Sequence, residues 1–422
     1  MIGQTQGVVV TLISFLKKRI GVFWAVMYFS CAVAQEEDPA TLFRHHYITR
    51  ELPDAEGSRY GTPVLADFDK DGDLDYAFSI TRDQVFWFEY EDADTWHPHV
   101  AGTIPTGQLG GASLDVDQDG WTDMVVGGFW FRNPQNPRNN EFERYDYDST
   151  IAHEIHDIVT QDIDGDGRED VIVLGDKDGC FWYRIPEDPQ HTWIKDTVTL
   201  EVLDDRADIH AGFFPNGVGD IDMDGDADIV MPGRWYQNEN NGKQWIRRFL
   251  PFGSGGYWGL SCRSWIIDMD GDGDNDIVMV ASDQVDSRGV WLENNGNELP
   301  GFTVHLLPLQ AEGRRGSFHS LAVADFDEDG NADIFTMEQE DKQILPTGAT
   351  MKGFLWQNMD GKGKTFEETV IFNKNLGGHD ALIGDVDQDG DIDICFKIWE
   401  KLSTNANQGK VHAGYLENLT IP

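Results

Sequence analysis

The apolar residues of this chain fall in short runs, each separated from the next by acidic or glycine-bearing stretches. Leu321-Ala322-Val323-Ala324 is one such run, Val171-Ile172-Val173-Leu174 another, and Ile229-Val230-Met231 a third. Others are aromatic: Val85-Phe86-Trp87-Phe88, Phe129-Trp130-Phe131, Phe181-Trp182-Tyr183, Val290-Trp291-Leu292 and Phe354-Leu355-Trp356. Runs of this length, rich in β-branched and aromatic residues and bounded by turn formers, predict strands. More polar runs follow at residues 245–249 and 366–370, and Asn241-Gly242 and Asn295-Gly296 mark tight turns before outer strands.

One acidic pattern punctuates these runs. Asp-x-Asp-x-Asp-Gly-x-x-Asp is written seven times, with successive starts 48, 47, 58, 48, 57 and 60 residues apart. Its aspartates are Asp67, Asp69, Asp71 and Asp75; Asp115, Asp117, Asp119 and Asp123; Asp162, Asp164, Asp166 and Asp170; and Asp220, Asp222, Asp224 and Asp228. The last three copies use Asp268, Asp270, Asp272 and Asp276; Asp325, Asp327, Asp329 and Asp333; and Asp385, Asp387, Asp389 and Asp393. Carboxylates at alternate positions, with a glycine for the sharp turn, suit Ca²⁺, about one per repeat. A period near fifty with room for four strands predicts an all-β, seven-bladed β-propeller. The last repeat ends at Tyr415-Leu416-Glu417-Asn418, after its third strand, and an orphan strand at 46–52 precedes the first. That N-terminal strand is expected to complete the last blade and seal the ring.

The motif and its flanking strands resemble FG-GAP or VCBS repeats, the calcium-loop blades of integrin α-subunit propellers, fungal lectins and many secreted bacterial proteins. The resemblance implies the propeller fold and leaves function open among adhesins, lectins and enzyme scaffolds.

Charge narrows the partners. The chain has 422 residues and a formal charge of −43, and the seven motifs supply 28 of its 75 acidic residues. Seven Ca²⁺ would return +14 and leave about −29, which repels nucleic acid and anionic membranes. A carbohydrate partner is compatible with that charge, an acidic one only through a local cationic pocket. Lys17, Lys18 and Arg19 precede an apolar stretch ending in Ala32-Val33-Ala34, so residues 1–34 read as a signal peptide and 35–422 as one propeller domain. Secretion or periplasmic export follows, with lipidation at Cys31 as the alternative. Cys180, Cys262 and Cys395 share no spacing and are expected as buried free thiols.

With the Asp loops on one face, function is sought on the other. His156, His319 and His379 each stand six residues before their motif, and therefore at equivalent starts of inner strands. At about 3.3 Å per residue they lie roughly 20 Å from the Asp loops, around the channel mouth. With His153 and His210 they form a candidate site for Zn²⁺ or another divalent metal, or for acid–base chemistry. Arg59, Tyr60, Arg234, Tyr257, Trp258, Arg263, Arg314 and Arg315 enter from the same loops. His156, His379, Tyr60, Tyr257 and Arg263 are the catalytic candidates. Arg59, Arg234, Trp258, Arg314 and Arg315 are the substrate-binding candidates; for all these arginines, Arg263 included, ion pairing to Asp157, Asp208 or Asp380 is the structural alternative.

The succession His-x-x-His-Asp, His-Ala-Gly and Gly-His-Asp before three motifs is similar to the propeller portion of aldos-2-ulose dehydratases. That similarity implies a metal-assisted β-elimination on a keto-sugar or uronic-acid-containing carbohydrate. The other reading is a non-catalytic, calcium-stabilised carbohydrate-binding or adhesion propeller.

Overall fold

The computed structural model describes residues 42–151, 153–175, 177–201, 212–252, 261–341 and 344–421. Its regular elements are all β-strands, grouped in seven sheets arranged as the blades of a propeller. Blade one shows the common plan: Tyr60–Ala66, Asp75–Ile80, Gln84–Asp92 and Thr95–Thr103, hydrogen-bonded in chain order from channel to rim. Blade seven departs from it as expected. Its outer strand is the N-terminal Phe43–Thr49, antiparallel to Ala413–Asn418. Phe43 and Ile48 of that strand are buried, and His46 bonds Glu417 at 3.0 Å and Asp94 of blade one at 2.8 Å. Blade five gains a fifth strand, because Pro215–Asn216 pairs parallel to Ser261–Ile267.

Apolar clusters fill the gaps between blades. Val64, Phe68 and Trp87 of blade one meet Met124, Val126 and Phe131 of blade two. Trp182 and Trp291 pack against the following blade in the same way. The recurrent indoles are therefore core residues, consistent with the alternation that aims every second side chain of a strand into an inter-blade face. Cys180, Cys262 and Cys395 are free and buried.

Each Asp loop links an inner strand to the second strand, and its own backbone organises it. Asp67 accepts from Gly72 N–H at 3.1 Å, and Asp115, Asp162, Asp220, Asp268 and Asp325 do the same for their glycines at 2.8–3.1 Å. The fourth aspartate behaves differently from the other three. Asp228 is buried, with one oxygen accepting Ile221 N–H at 2.9 Å and the other Asn238 N–H at 2.8 Å. Asp75, Asp123, Asp276 and Asp393 bridge the same two backbone sites. This aspartate clamps the loop to the end of the third strand, a role the motif alone does not separate from cation binding.

The partner of that clamp is an asparagine that reaches the neighbouring blade. Asn133, Asn238, Asn294, Asn358 and Asn418 end their third strands, and each Nδ2 donates to a carbonyl of the preceding blade's Asp loop: Phe68, Ile163, Ile221, Met269 and Phe326. These bonds satisfy buried carbonyls that a sheet edge would otherwise leave open.

Candidate functional site

The channel mouth is built where inner strands begin. His156 and Asp157 open Ile155–Gln161, His319 lies in Phe318–Ala324, His379 and Asp380 open His379–Gly384, and Arg263 lies in Ser261–Ile267. Three of these strands are irregular at this point: pairing skips between Ile155 and Asp157, between Phe318 and Ser320, and between His379 and Leu382. Such bulges re-aim side chains, so neighbours in sequence can face the same cavity. Asp380 takes a left-handed φ of 54° there.

The side chains converge as a stacked column. His379 and His319 lie face to face with ring centroids 3.7 Å apart, and His156 follows at 6.1 Å from His319. On the other side Trp399 stacks on His379 at 5.6 Å, and exposed Arg59 covers Trp399 at 5.2 Å. Arg263 Nη2 donates to His319 Nδ1 at 2.8 Å and to Asp380 Oδ1 at 2.5 Å. Lys397 Nζ reaches Asp380 Oδ2 and His379 Nδ1, each at 3.0 Å, while His379 Nδ1 lies 2.6 Å from the other face of the same carboxylate oxygen. Asp157 holds His156 Nδ1 at 2.8 Å and gathers the N–H groups of Gly212, Phe213 and Phe214 at 2.7–3.2 Å.

Electrostatics follow from burial. Arg263 is 1% exposed and Lys397 fully enclosed. Burial alone would raise Asp380, but His379, Lys397 and Arg263 outweigh it and hold its carboxyl well below the usual range. Burial likewise opposes ionisation of Asp157, yet His156, Arg263 and the Gly212 N–H keep it low. Burial drives His379 well below the ordinary imidazole value, so the ring is neutral. Burial pushes Glu340 up to about 7, although its Oε1 accepts the N–H groups of Trp399 and Glu400. A guanidinium can only donate, so His319 Nδ1 accepts and its proton resides on Nε2. For His379 the hydrogen bonds to Asp380 and Lys397 are both at Nδ1.

Of the expected site residues, His156, His319, His379 and Arg263 come together, with Arg59 at the solvent end. His210, Tyr257 and Trp258 lie outside the described residues. The others are placed elsewhere, each for an evident reason. His153 is exposed, bonded to Asp178 at 3.0 Å, in a surface cleft of about 340 Å³ with Arg82, Gln108 and Lys177. Tyr60 is buried against Phe78 and donates its hydroxyl to Asp54. Arg234 pairs with Glu201 at 2.9 Å, Arg314 with Asp286 at 2.5 Å, and buried Arg315 with Glu368 at 2.8 Å. These three arginines answer local carboxylates in the acidic chain, whereas Arg263 realises the ion pairing named as the structural alternative, with Asp157 and Asp380; Asp208 lies outside the described residues. Asp157 and Asp380, named as ion-pair partners, are integral to the cluster. Lys397, Trp399 and Glu340 were not legible as members. Lys397 is signalled only by a charge closing the apolar run Ile394-Cys395-Phe396.

Two kinds of cation site fit the donors present. His319, His379 and Asp380 each offer a ligand atom, all within 4.8 Å of one another. Arg263 and Lys397 already engage those groups, so an ion would have to displace a donor. In the Asp loops, Asp67, Asp69 and Asp71, or Asp220, Asp222 and Asp228, bring three carboxylate oxygens equally close. All-oxygen donor sets of this kind suit Ca²⁺, whereas imidazole with one carboxylate suits a transition metal.

Fold and repeat together define the class, a seven-bladed β-propeller with an acidic loop in every blade. Residues 115–173 and 268–336 match the FG-GAP-like repeat family. No curated protein matches it. Two solved structures of BBS1N in complex with ARL6DN, one soaked with lead and one with mercury, align with a TM-score of 0.48 at 9% identity, over 90% of this chain and 98% of theirs.

Proposed function

We propose that the channel mouth is the centre of a sugar-directed lyase or dehydratase, secreted through its N-terminal segment and stabilised by Ca²⁺ in its blades. The observation that carries this reading is the His379–Asp380 pair, buried and set between Arg263 and Lys397. Neutral His379, oriented through Nδ1, has a nitrogen with which to take a proton next to a carbonyl or carboxylate. Two Arg263 donors, Nε and Nη1, are buried without a hydrogen-bond partner, and an enolate-like oxygen is a fitting acceptor for them. Glu340, with a value near neutrality, is the nearby acid to return a proton to the leaving oxygen. A divalent ion held by His379, His319 and Asp380 would add Lewis-acid polarisation of the carbonyl.

The near-complete pairing of these charges favours a second reading. In it the cluster is a polar rivet joining blades three, five, six and seven, and the propeller binds carbohydrate or a cell surface without chemistry. Incubating the protein with keto-sugars and uronic-acid polymers, with and without added divalent ions, separates the two. Ultraviolet-absorbing unsaturated product, abolished in His379→Ala, supports the enzyme. Its absence with every substrate and ion leaves the binding propeller. Metal analysis after mild chelation, comparing wild type with His379→Ala, tests the ion: calcium alone in both removes the transition metal from the proposal.

A further inference from the structure

A residue near the end of each third strand changes character from blade to blade. In chain order it is Glu89, Arg132, Arg184, Gln237, Glu293, Gln357 and Glu417. In six blades it meets the second aspartate of its own Asp loop. Arg132 Nε lies 2.6 Å from Asp117, and its Nη2 lies 3.3 Å from Asp119. Gln237 and Gln357 donate to Asp222 and Asp327 at 2.5 and 2.6 Å. Glu89, Glu293 and Glu417 instead place negative charge against Asp69, Asp270 and Asp387. Arg184 pairs with Asp196 on its outer strand. Blade one has a further twist, because Arg138 crosses from blade two to Asp69, Asp71 and Glu89 at 2.5–2.7 Å.

These contacts set the loops apart. A guanidinium stays charged at any working pH, and between two carboxylates it supplies the positive charge a divalent cation would bring. Blades five and seven show the opposite condition: in blade seven the Oδ1 of Asp385 and that of Asp391, a residue 3% exposed, are buried without a hydrogen-bond partner. Asp270 and Asp274 are 7% and 8% exposed, and the Oδ1 of each is buried without a hydrogen-bond partner. The neighbouring Lys362 donates to the Asp270 backbone carbonyl at 2.9 Å rather than to either carboxylate. Buried anionic oxygens left unpaired are costly, and a hard cation relieves the cost.

We propose that this strand position ranks the seven loops as cation sites. Blades five and seven, with Glu293 and Glu417, take the divalent cation most tightly, and blades one and two are closed to it by Arg138 and Arg132. The ranking rests on the reading that the Asp loops take Ca²⁺, and it adds residues that tune them. Calorimetric titration of the chelated full-length protein with Ca²⁺ tests it. Wild type is expected to bind fewer than seven ions, the Arg132→Gln/Arg138→Gln double variant to bind two more, and Glu293→Gln to weaken the tightest phase by about tenfold or more. Seven equivalent ions in wild type, or an unchanged stoichiometry in the double variant, overturns the ranking. Binding of no ion overturns the calcium reading itself, an outcome distinct from seven equal sites. Thermal unfolding of each variant in excess Ca²⁺ confirms that the comparison is between folded proteins.

Discussion

The guanidinium of Arg263 joins two blades at one carboxylate and one imidazole, bonding Asp380 at 2.5 Å and His319 at 2.8 Å through the same nitrogen. It also stands 3.7 Å from Asp157, so one cation from blade five answers anions from blades three and seven. This arrangement explains why two buried aspartates remain ionised inside the channel mouth. It also fixes the His319 tautomer, because Arg263 has no acceptor to offer.

Removing that cation should therefore be severe. Arg263→Met is expected to destabilise the folded protein by about 3–5 kcal/mol, since it leaves buried carboxylates uncompensated. Adding Asp380→Asn should recover part of the loss, because the orphaned charge is removed with its partner. Urea unfolding of the two single variants and the double variant measures the coupling, and strict additivity would contradict the shared network.

The asparagine bridges predict a different pattern. Asn294→Ala breaks bonds to Ile221 of blade four and to Asn275, and should cost about 1–3 kcal/mol by leaving buried carbonyls unpaired. Exposed Asn297, three residues on, should tolerate alanine within about 0.5 kcal/mol. Equal melting temperatures for the two variants would show that the bridge adds nothing.

The repeat made the fold readable, and the same regularity hid part of the site. Periodicity and motif spacing placed the strands, the ring closure and the register of His156, His319 and His379. What spacing cannot show is a β-bulge, since pairing irregularities depend on the partner strand. The bulges bring Asp157 and Asp380 into the same buried cluster as the histidines before them. Arg314 and Arg315 share a loop position that promised a channel role, yet nearby Asp286 and Glu368 capture them. Lys397 and Trp399 come from the far end of a second strand and its following loop, where no repeat marks them. The fourth aspartate was legible as acidic but not as a clamp, because its partners are backbone N–H groups.

Acid should loosen blade seven through His412. Burial pushes this ring from 6.5 down to about 4, so between those values the unfolded chain binds a proton that the folded one refuses. Its contribution is present above pH 6.5 and is lost as pH falls through that window, amounting to about 3 kcal/mol. The stability of His412→Leu relative to wild type should rise as pH is lowered from 7 to 4, checked by unfolding at several pH values in one buffer series. A difference independent of pH would rule out this linkage.

Deleting residues 43–53 should not merely trim an end. The deletion removes the outer strand of blade seven and buried Phe43 and Ile48, each worth roughly 1.5–3 kcal/mol of apolar burial. The expected result is a lower midpoint for the whole cooperative transition by circular dichroism, rather than a separate early phase.

That closing strand also imposes an order of events on biosynthesis. Phe43–Thr49 leaves the ribosome before the other strands of the ring, yet its partner Ala413–Asn418 is made after all of them. The nascent chain must therefore carry an unpaired strand edge through the synthesis of all seven blades, the condition that exposes β proteins to mispairing. Its composition is suited to the wait, with Arg44, His45 and His46 interrupting the apolar positions. Final closure is then a single long-range step, and the rate of appearance of native protein should be governed by that meeting of ends more than by the folding of any individual blade.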